Sequence, residues 1–158
     1  MKIINNELLD KLTGEAAESS RKRKNFNFHS DYADPCQRLL NAVEPGSYIR
    51  PHRHLSPPKP ETFLIVRGKM ALFLFDDEGD IERCVLLSAA EGAIGIDIPS
   101  GVWHSLVSLE SGSVFFETKP GPYEPLPDQD LAPWAPLEGS PGAEEYLKGL
   151  EKAVKSEK

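Results

Sequence analysis

Two stretches decide the fold of this 158-residue chain: PGSYIRPHRHLSPPKPETFLIVRG, residues 45–68, and IPSGVWHSLVS, residues 98–108. Together they hold three of its four histidines. In the first stretch, His52 and His54 lie two residues apart in an extended run. Because side chains alternate between the two faces of a β-strand, both imidazoles are predicted to point the same way.

The chain is predicted to turn after His54 and to return as a strand at Glu61. In the second stretch, His104 follows the turn tripeptide of residues 99–101, which can start a new strand at a fixed angle. The sequence therefore predicts a metal site in which the imidazoles of His52, His54 and His104 converge with the Glu61 carboxylate.

These donors define the kind of metal ion that would bind. Neutral imidazole and carboxylate suit iron, manganese, nickel or zinc, and neither stretch contains a cysteine that would favour thiolate chemistry. Four protein ligands on an octahedral ion leave two positions for water or substrate. A single divalent transition metal able to polarise a carbonyl or hydroxyl group is therefore predicted.

The same residues resemble the two sequence motifs of the cupin superfamily. The first motif is a glycine, His-x-His, a glutamate and a second glycine, and the second is Pro-x-Gly-x-x-His followed by an asparagine. Their counterparts are Gly46, His52, His54, Glu61 and Gly68 in the first motif, and Pro99, Gly101 and His104 in the second, with Ser108 in place of the asparagine. Six residues separate His54 from Glu61, where the family has three or four.

The order of further segments, from KNFNFH through GVWH to APWAP, resembles WbuC-type cupin metalloproteins over roughly residues 3–136. This resemblance implies a role in O-antigen polysaccharide biosynthesis, with a sugar or sugar nucleotide as the substrate class. It also implies a homodimer. Within the resemblance, His29 belongs to a segment that covers the pocket and is able to transfer protons.

Short apolar runs separated by turn signals such as EPGS, DDEGD and ESG predict an all-β protein. Eight antiparallel strands fit a cupin double-stranded β-helix, the jelly-roll barrel. The predicted strands are 36–43, 47–54, 61–67, 69–76, 81–87, 94–98, 103–109 and 113–118.

Short helices are predicted to flank this barrel on both sides. Asn5 or Asn6 can cap the first, and the second is predicted over residues 143–154 with an apolar stripe that docks on the barrel or on a partner subunit. We divide the single domain into an N-terminal helix and extended arm (1–35), the barrel (36–119), and a proline-rich strap with the C-terminal helix (120–158).

Strand alternation nominates further residues for the pocket. Tyr48 and Arg50 share the parity of His52 and His54 and are expected to face the same interior. Arg50 would either form a structural ion pair, with Glu117 or Glu61 as its partner, or bind a carboxylate or phosphate of a ligand.

An apolar wall is predicted from Phe63 and Ile65, which share the parity of Glu61. Trp103 is expected either to pack outward or to line the mouth of the pocket. Tyr48, His29 and Glu117 are the candidates for proton transfer, with Arg50, Phe63 and Trp103 as substrate contacts.

Composition excludes some classes of partner. Eighteen Lys and Arg residues against 25 Asp and Glu give a net charge of -7, which opposes binding to a nucleic-acid backbone. No apolar run approaches the roughly 20 residues that span a bilayer, and a cytoplasmic location is expected.

Two classes of function remain open from the sequence. One is a metal-dependent enzyme acting on a small oxygen-rich molecule, as an isomerase, an epimerase or a dioxygenase. The other is a non-catalytic module in which the metal stabilises the barrel or helps to bind a carbohydrate or metabolite. Inward-facing ionisable groups would favour the enzyme, because a purely structural metal site is walled by apolar residues.

Overall fold

The computed structural model describes residues 1–156 and shows eight strands, two α-helices and one short 3₁₀ turn within that range. In chain order the elements are α1 (Asn6–Glu18), β1 (Arg23–Asn27), β2 (Cys36–Val43), β3 (Glu61–Arg67), β4 (Lys69–Phe75), β5 (Ile81–Ser88), β6 (Gly95–Ile98), β7 (Trp103–Ser108), β8 (Ser113–Pro120), the 3₁₀ turn (Asp128–Asp130) and α2 (Pro141–Ser156).

The strands form two antiparallel sheets. The larger has the order β1-β2-β8-β3-β6 and the smaller has the order β5-β4-β7. Apolar side chains from both sheets meet between them in one buried cluster, which includes Phe63, Met70, Leu72, Leu106 and Phe115. This arrangement confirms the predicted all-β cupin jelly roll with short flanking helices.

Seven of the eight predicted strands are confirmed to within about two residues at each end. The exception is 47–54, where only His52 forms isolated bridges. Pro51 has no N–H to give to a ladder, so this segment cannot continue as a regular strand. One strand was not predicted as a ladder member: β1, in the N-terminal arm, pairs with β2.

Both helices pack on the outside of the sheets. Asn5 caps α1 by accepting a hydrogen bond from the Leu8 backbone N–H at 3.0 Å, and the buried face of α1 packs with β2 and β8 residues. The apolar stripe of α2 packs with buried residues of β4 and β7, as predicted for docking on the barrel. No helix in the described range is long and apolar enough to cross a membrane.

The proline-rich strap runs alongside the segment that carries His52 and His54. Its Ala132 N–H donates to the Pro51 carbonyl at 2.9 Å, and its Asp130 carbonyl accepts from the Arg53 N–H at 2.9 Å. These bonds supply the backbone partners that residues 51–53 lack in a sheet. The strap therefore replaces a neighbouring strand at this point of the barrel.

The turn between β3 and β4 requires a glycine at position 68. Gly68 has a φ of +78°, and an added Cβ would lie 2.9 Å from the Ser113 Cα and closer still to its hydroxyl oxygen. We expect Gly68→Ala to lower the free energy of unfolding by more than about 2 kcal/mol, because backbone strain and a clash act together. Urea unfolding followed by circular dichroism measures the change.

Gly92→Ala is the matched control for this substitution. Gly92 also has a positive φ, +69°, but no atom lies within 4 Å of an added Cβ. Gly92→Ala should lower the free energy of unfolding by only about 1 kcal/mol, because it strains the backbone without a clash. Equal losses in the two variants would contradict the proposed contact with Ser113.

Candidate metal centre

The four predicted ligands come together in one cluster. One ligand atom from each of His52, His54, Glu61 and His104 lies within 4.8 Å of all the others. The Glu61 Oε1 lies 2.7 Å from the His104 Nε2 and 3.2 Å from the His54 Nε2. Glu61 and His104 are buried, with 3% and 2% of their surface exposed, while His52 and His54 are half-buried.

Strand geometry positions two of these side chains directly. Glu61 is the first residue of β3 and His104 is the second residue of β7. His52 is tied to β7 by a reciprocal pair of backbone hydrogen bonds, from its N–H to the His104 carbonyl at 3.0 Å and from the His104 N–H to its carbonyl at 2.9 Å. The two imidazole rings consequently lie 4.5 Å apart.

The long loop between His54 and Glu61 closes tightly on itself. The His54 carbonyl accepts from the N–H groups of Lys59 and Gly101, at 3.2 Å and 3.1 Å. The buried Asp130 carboxylate accepts from the N–H groups of Leu55 and Ser56, at 3.1 Å and 2.9 Å. These bonds return the chain so that Glu61 reaches the histidines despite the six intervening residues.

Three buried ligand atoms face one another without hydrogen bonds. The Nε2 atoms of His54 and His104 and the Oε1 of Glu61 have no hydrogen-bond partner among the described residues, although the Glu61 oxygen is within 3.2 Å of both nitrogens. Buried polar atoms in folded proteins are nearly always satisfied. Atoms that converge in this way therefore fit the ligand set of a metal ion.

The opposite nitrogens of two histidines have backbone partners. The Nδ1 of His52 lies 3.0 Å from the Arg50 carbonyl, and the Nδ1 of His104 lies 2.9 Å from the Val102 carbonyl. A carbonyl can only accept, so each Nδ1 carries a proton, and the Nε2 of a neutral imidazole then offers its lone pair to a metal ion. Such contacts orient histidine ligands in metalloproteins.

The electrostatics favour the forms of His52 and Glu61 that bind metals. Burial and the neighbouring His104 lower the pKa of His52 to about 3, so its imidazole is neutral at physiological pH. Burial raises the pKa of Glu61, but the contacts with His104 and His54 and the charge of Lys119 outweigh it and hold that pKa well below its usual range. A neutral imidazole and a carboxylate need release no proton before they coordinate.

A cavity of about 410 Å³ opens on this cluster, and His52, Glu61 and His104 form part of its lining. A second cavity of about 230 Å³ lies on the side of the strap and is lined by His52, His54 and Lys119. His52 and Lys119 therefore stand between the two cavities. The cluster can be approached from the sheet side and from the strap side.

An ionic network lies beside the cluster. The Lys119 Nζ is 2.6 Å from the Glu117 Oε1 and 3.5 Å from the Glu61 Oε2. The Asn41 side-chain amide donates to the other oxygen of Glu117 at 2.8 Å. These groups connect the Glu61 carboxylate to a second buried carboxylate through one lysine.

The pKa values of the paired groups shift in a way that suits proton exchange at Glu117. Burial and the charge of Glu61 raise the pKa of Glu117, against the opposing effect of Lys119. Burial lowers the pKa of Lys119, but the charges of Glu117 and Glu61 outweigh it, so that pKa is raised. Lys119 is thus a fixed cation beside a carboxyl group whose proton is held more tightly than usual.

The other predicted site residues are distributed unevenly around this centre. Phe63 and Glu117 line the larger cavity, whereas Tyr48, Arg50, Trp103 and His29 lie outside its lining.

Tyr48 and Arg50 bond to the strap. The Tyr48 hydroxyl donates to the Pro136 carbonyl at 2.8 Å, and the Arg50 Nη2 donates to the Ala132 carbonyl at 2.7 Å. Strand alternation predicts instead that both side chains face the same interior as His52. Residues 47–50 belong to no ladder, so strand parity does not govern their side chains.

The two remaining residues have local partners elsewhere. The Trp103 indole N–H donates to Asp77 at 3.0 Å, and the Arg53 guanidinium lies 4.2 Å from its ring. The His29 Nδ1 accepts from the Arg38 backbone N–H at 3.1 Å, where β2 begins.

Lys119 and Asn41 were not predicted from the sequence as site residues. Lys119 lies two positions after Glu117 on β8, so alternation already placed both on one face. Asn41 offers no such signal, because its contact with Glu117 depends on the pairing of β2 with β8.

Comparison with known families adds one assignment. Residues 4–87 match the family described as "Domain of unknown function (DUF6016)". The chain belongs to this family. The matched region of this DUF6016 protein includes His52, His54 and Glu61, whereas His104 follows it. No curated protein matches the sequence.

Solved structures show the fold that this DUF6016 chain shares with other proteins. TT1209 from Thermus thermophilus is similar with a TM-score of 0.53 and 16% identity, over 77% of this chain and 98% of that one. The conserved SPY1581 protein of unknown function from Streptococcus pyogenes has a TM-score of 0.53 and 14% identity, over 78% and 90% of the two chains.

A recombinant oxalate oxidase in complex with glycolate has a TM-score of 0.51 and 14% identity, over 68% of this chain and 55% of that one. The present chain therefore spans about half of the oxidase. At these identities the likeness is one of fold.

The depressed pKa of His52 makes stability depend on pH. An unfolded histidine takes up a proton near pH 6.5, whereas folded His52 stays neutral down to about pH 3. Between these values the unfolded state binds more protons. The free energy of unfolding of the metal-free protein should therefore fall as the pH drops below 6.5, by up to about 1.4 kcal/mol per pH unit from this residue.

Urea unfolding in the presence of a chelator, at about pH 7, 6 and 5, measures how steeply the free energy of unfolding changes with pH. Most of the contribution of Glu61 to this pH dependence comes at lower pH. The His52→Asn variant should show a shallower slope than the wild type. Parallel slopes would contradict the pKa assigned to His52.

Proposed function

We propose that this protein is a metal-dependent enzyme that acts on a small oxygen-rich metabolite, such as a sugar or sugar nucleotide. The observation that carries the proposal is the convergence of three buried, unbonded atoms from His54, Glu61 and His104, two of which, Glu61 and His104, also line the cavity of about 410 Å³. A bound divalent transition metal would supply Lewis-acid polarisation of a substrate oxygen.

The residues of the chain supply proton transfer and positioning. Of the three residues predicted to move protons, Glu117 is the one that lines the cavity, and we assign it as the general acid or base. Lys119 and Asn41 each hold one oxygen of its carboxyl group. Phe63 packs against Phe115 with ring centroids 4.8 Å apart and forms an apolar wall that excludes water from one side of the substrate.

The buried pair of Glu117 and Lys119 favours an enzyme over a non-catalytic module in which the metal only stabilises the barrel. A structural site would gain nothing from burying Glu117 and Lys119, because desolvating two charged groups costs free energy that a well-packed apolar pair avoids. A cupin dioxygenase, using the same ligands with iron, is the second enzymatic candidate.

The proposed substrate class, biological role, location and oligomeric state rest on the resemblance to WbuC-type cupin metalloproteins. It supports a sugar-related substrate, a role in surface polysaccharide (O-antigen) biosynthesis, a cytoplasmic location and a homodimer. The observed cavity of about 410 Å³ is of a suitable size for one small metabolite.

Metal content is the first test of the proposal. Protein purified without an affinity metal column should carry nearly one metal ion per chain by plasma mass spectrometry. The His52→Ala, His104→Ala double variant should carry almost none, because two of four ligands are lost. His29→Gln is the matched control, since it changes the remaining histidine and should retain the metal. A wild type that takes up no metal after reconstitution would refute the metalloenzyme.

Solvent deuterium exchange tests the role of Glu117. Metal-loaded protein is incubated in D₂O with a panel of sugar phosphates and nucleotide sugars, and incorporation of deuterium at substrate carbons is followed by NMR. Glu117→Gln should slow the exchange by roughly 10²-fold or more, with its metal content unchanged.

Two outcomes would redirect this assignment. Equal exchange by the variant and the wild type would remove Glu117 from the reaction. Oxygen uptake by iron-loaded protein without any deuterium exchange would favour the dioxygenase, and the absence of both would favour the binding module.

A further inference from the structure

The larger cavity carries the opposite charge to the chain as a whole. Its lining includes four cationic side chains, those of Arg21, Arg23, Lys24 and Lys119, against the carboxylates of Glu61 and Glu117. The whole chain has a net charge of -7. A concave surface with an excess of one charge concentrates field lines and attracts ligands of the other sign.

The cations lie at two depths. Lys119 is deep, with 19% of its side chain exposed, and its charge is directed at Glu117 and Glu61. Arg21 and Lys24 are at the rim, with 61% and 50% of their side chains exposed. The rim cations flank the point where the arm enters β1. They are therefore placed to meet a ligand before it reaches the floor of the cavity.

Two arginines share a single carboxylate at this rim. Arg21 donates through its Nε and Nη2 to the two oxygens of Glu138, at 2.9 Å and 2.8 Å. Arg23 donates to the same carboxylate through Nη2 at 2.8 Å and to the Tyr48 carbonyl through Nη1 at 2.9 Å. One carboxylate neutralises one guanidinium, so a full positive charge remains on the pair.

The arrangement leaves hydrogen-bond donors of Arg21 and Lys24 available to a ligand. Binding to Glu138 holds the plane of the Arg21 guanidinium while its Nη1 makes no hydrogen bond to the described residues. The Lys24 Nζ is 3.6 Å from the exposed Glu15, a surface contact of little strength. A guanidinium and an ammonium held in this way suit the oxygens of a carboxylate or phosphate group.

We propose that the cavity binds a small organic anion, with a carboxylate or phosphate group held at the rim by Arg21 and Lys24 and the other end of the molecule at the four-ligand cluster. This inference rests on the proposed function and specifies its substrate class. It places anion recognition on the basic run of the N-terminal arm, residues Arg21 to Lys24. Arg50 bonds instead to the strap.

Glycerol 3-phosphate, glycerate and glycerol are suitable probes, because they have a common three-carbon skeleton and differ in their anionic group. Isothermal titration calorimetry at low ionic strength with metal-loaded protein should detect binding of at least one anion and none of glycerol. The anion that binds distinguishes a phosphate site from a carboxylate site. Arg21→Gln and Lys24→Gln should each weaken binding about 10-fold, as expected for loss of one charge-assisted contact.

Lys22→Gln is the control, because Lys22 belongs to the same basic run and loses the same charge but does not line the cavity. It should bind the anion within about twofold of the wild type. Lys24→Gln leaves the Glu138 contacts intact, so a loss in this variant cannot come from a disturbed strap. An equal loss in the Lys22→Gln variant, or anion binding weaker than about 10 mM in the wild type, would overturn the proposal.

Metal content measured on the same samples separates this inference from the proposed function. Full metal occupancy without anion preference would refute the anion site and leave the metal centre in place. Absence of metal together with anion binding that depends on Arg21 and Lys24 would refute the metalloenzyme and retain the anion site.

Discussion

The reciprocal backbone hydrogen bonds between His52 and His104 are the interaction on which the rest of the site depends. They join a segment that cannot form a regular strand to β7, and they bring two imidazoles together. On its other side His52 forms a bridge with Leu131 of the strap. The ligand segment is thus held between a sheet and a strap, and neither alone would fix the direction of the imidazole of His52.

This constraint explains why the chain keeps several costly buried groups in one place. Glu61, His104 and Glu117 are all buried, and the desolvation of a carboxylate costs several kcal/mol unless a charge or hydrogen bond compensates it. Lys119 compensates both carboxylates at once, and an ion at the cluster would satisfy the atoms that remain unbonded. The same concentration of charge gives the cavity groups that can bind and move protons.

Much of the fold and of the ligand set could be predicted from the sequence, since both follow from short-range patterns. Turn signals and apolar runs located seven of the strands, and the two histidine-containing stretches held all four residues that the structure brings into one cluster, including Glu61 after its long loop. The prediction for residues 47–54 was wrong because strand alternation assumes a ladder, and Pro51 with the strap prevents one. Tyr48 and Arg50 consequently bond to strap carbonyls.

By itself, the sequence determined three things: which residues can coordinate a metal, on which predicted strands and loops they lie, and that the chain has an excess of acidic residues. These depend on composition and local periodicity. Only the tertiary structure decided that Lys119 links Glu61 to Glu117, that Asn41 supports the same carboxylate and that Arg21 and Lys24 border the cavity. These contacts join residues far apart in the chain, and their distances are set by the pairing of β2, β8 and β3 and by the path of the strap, which no local pattern encodes.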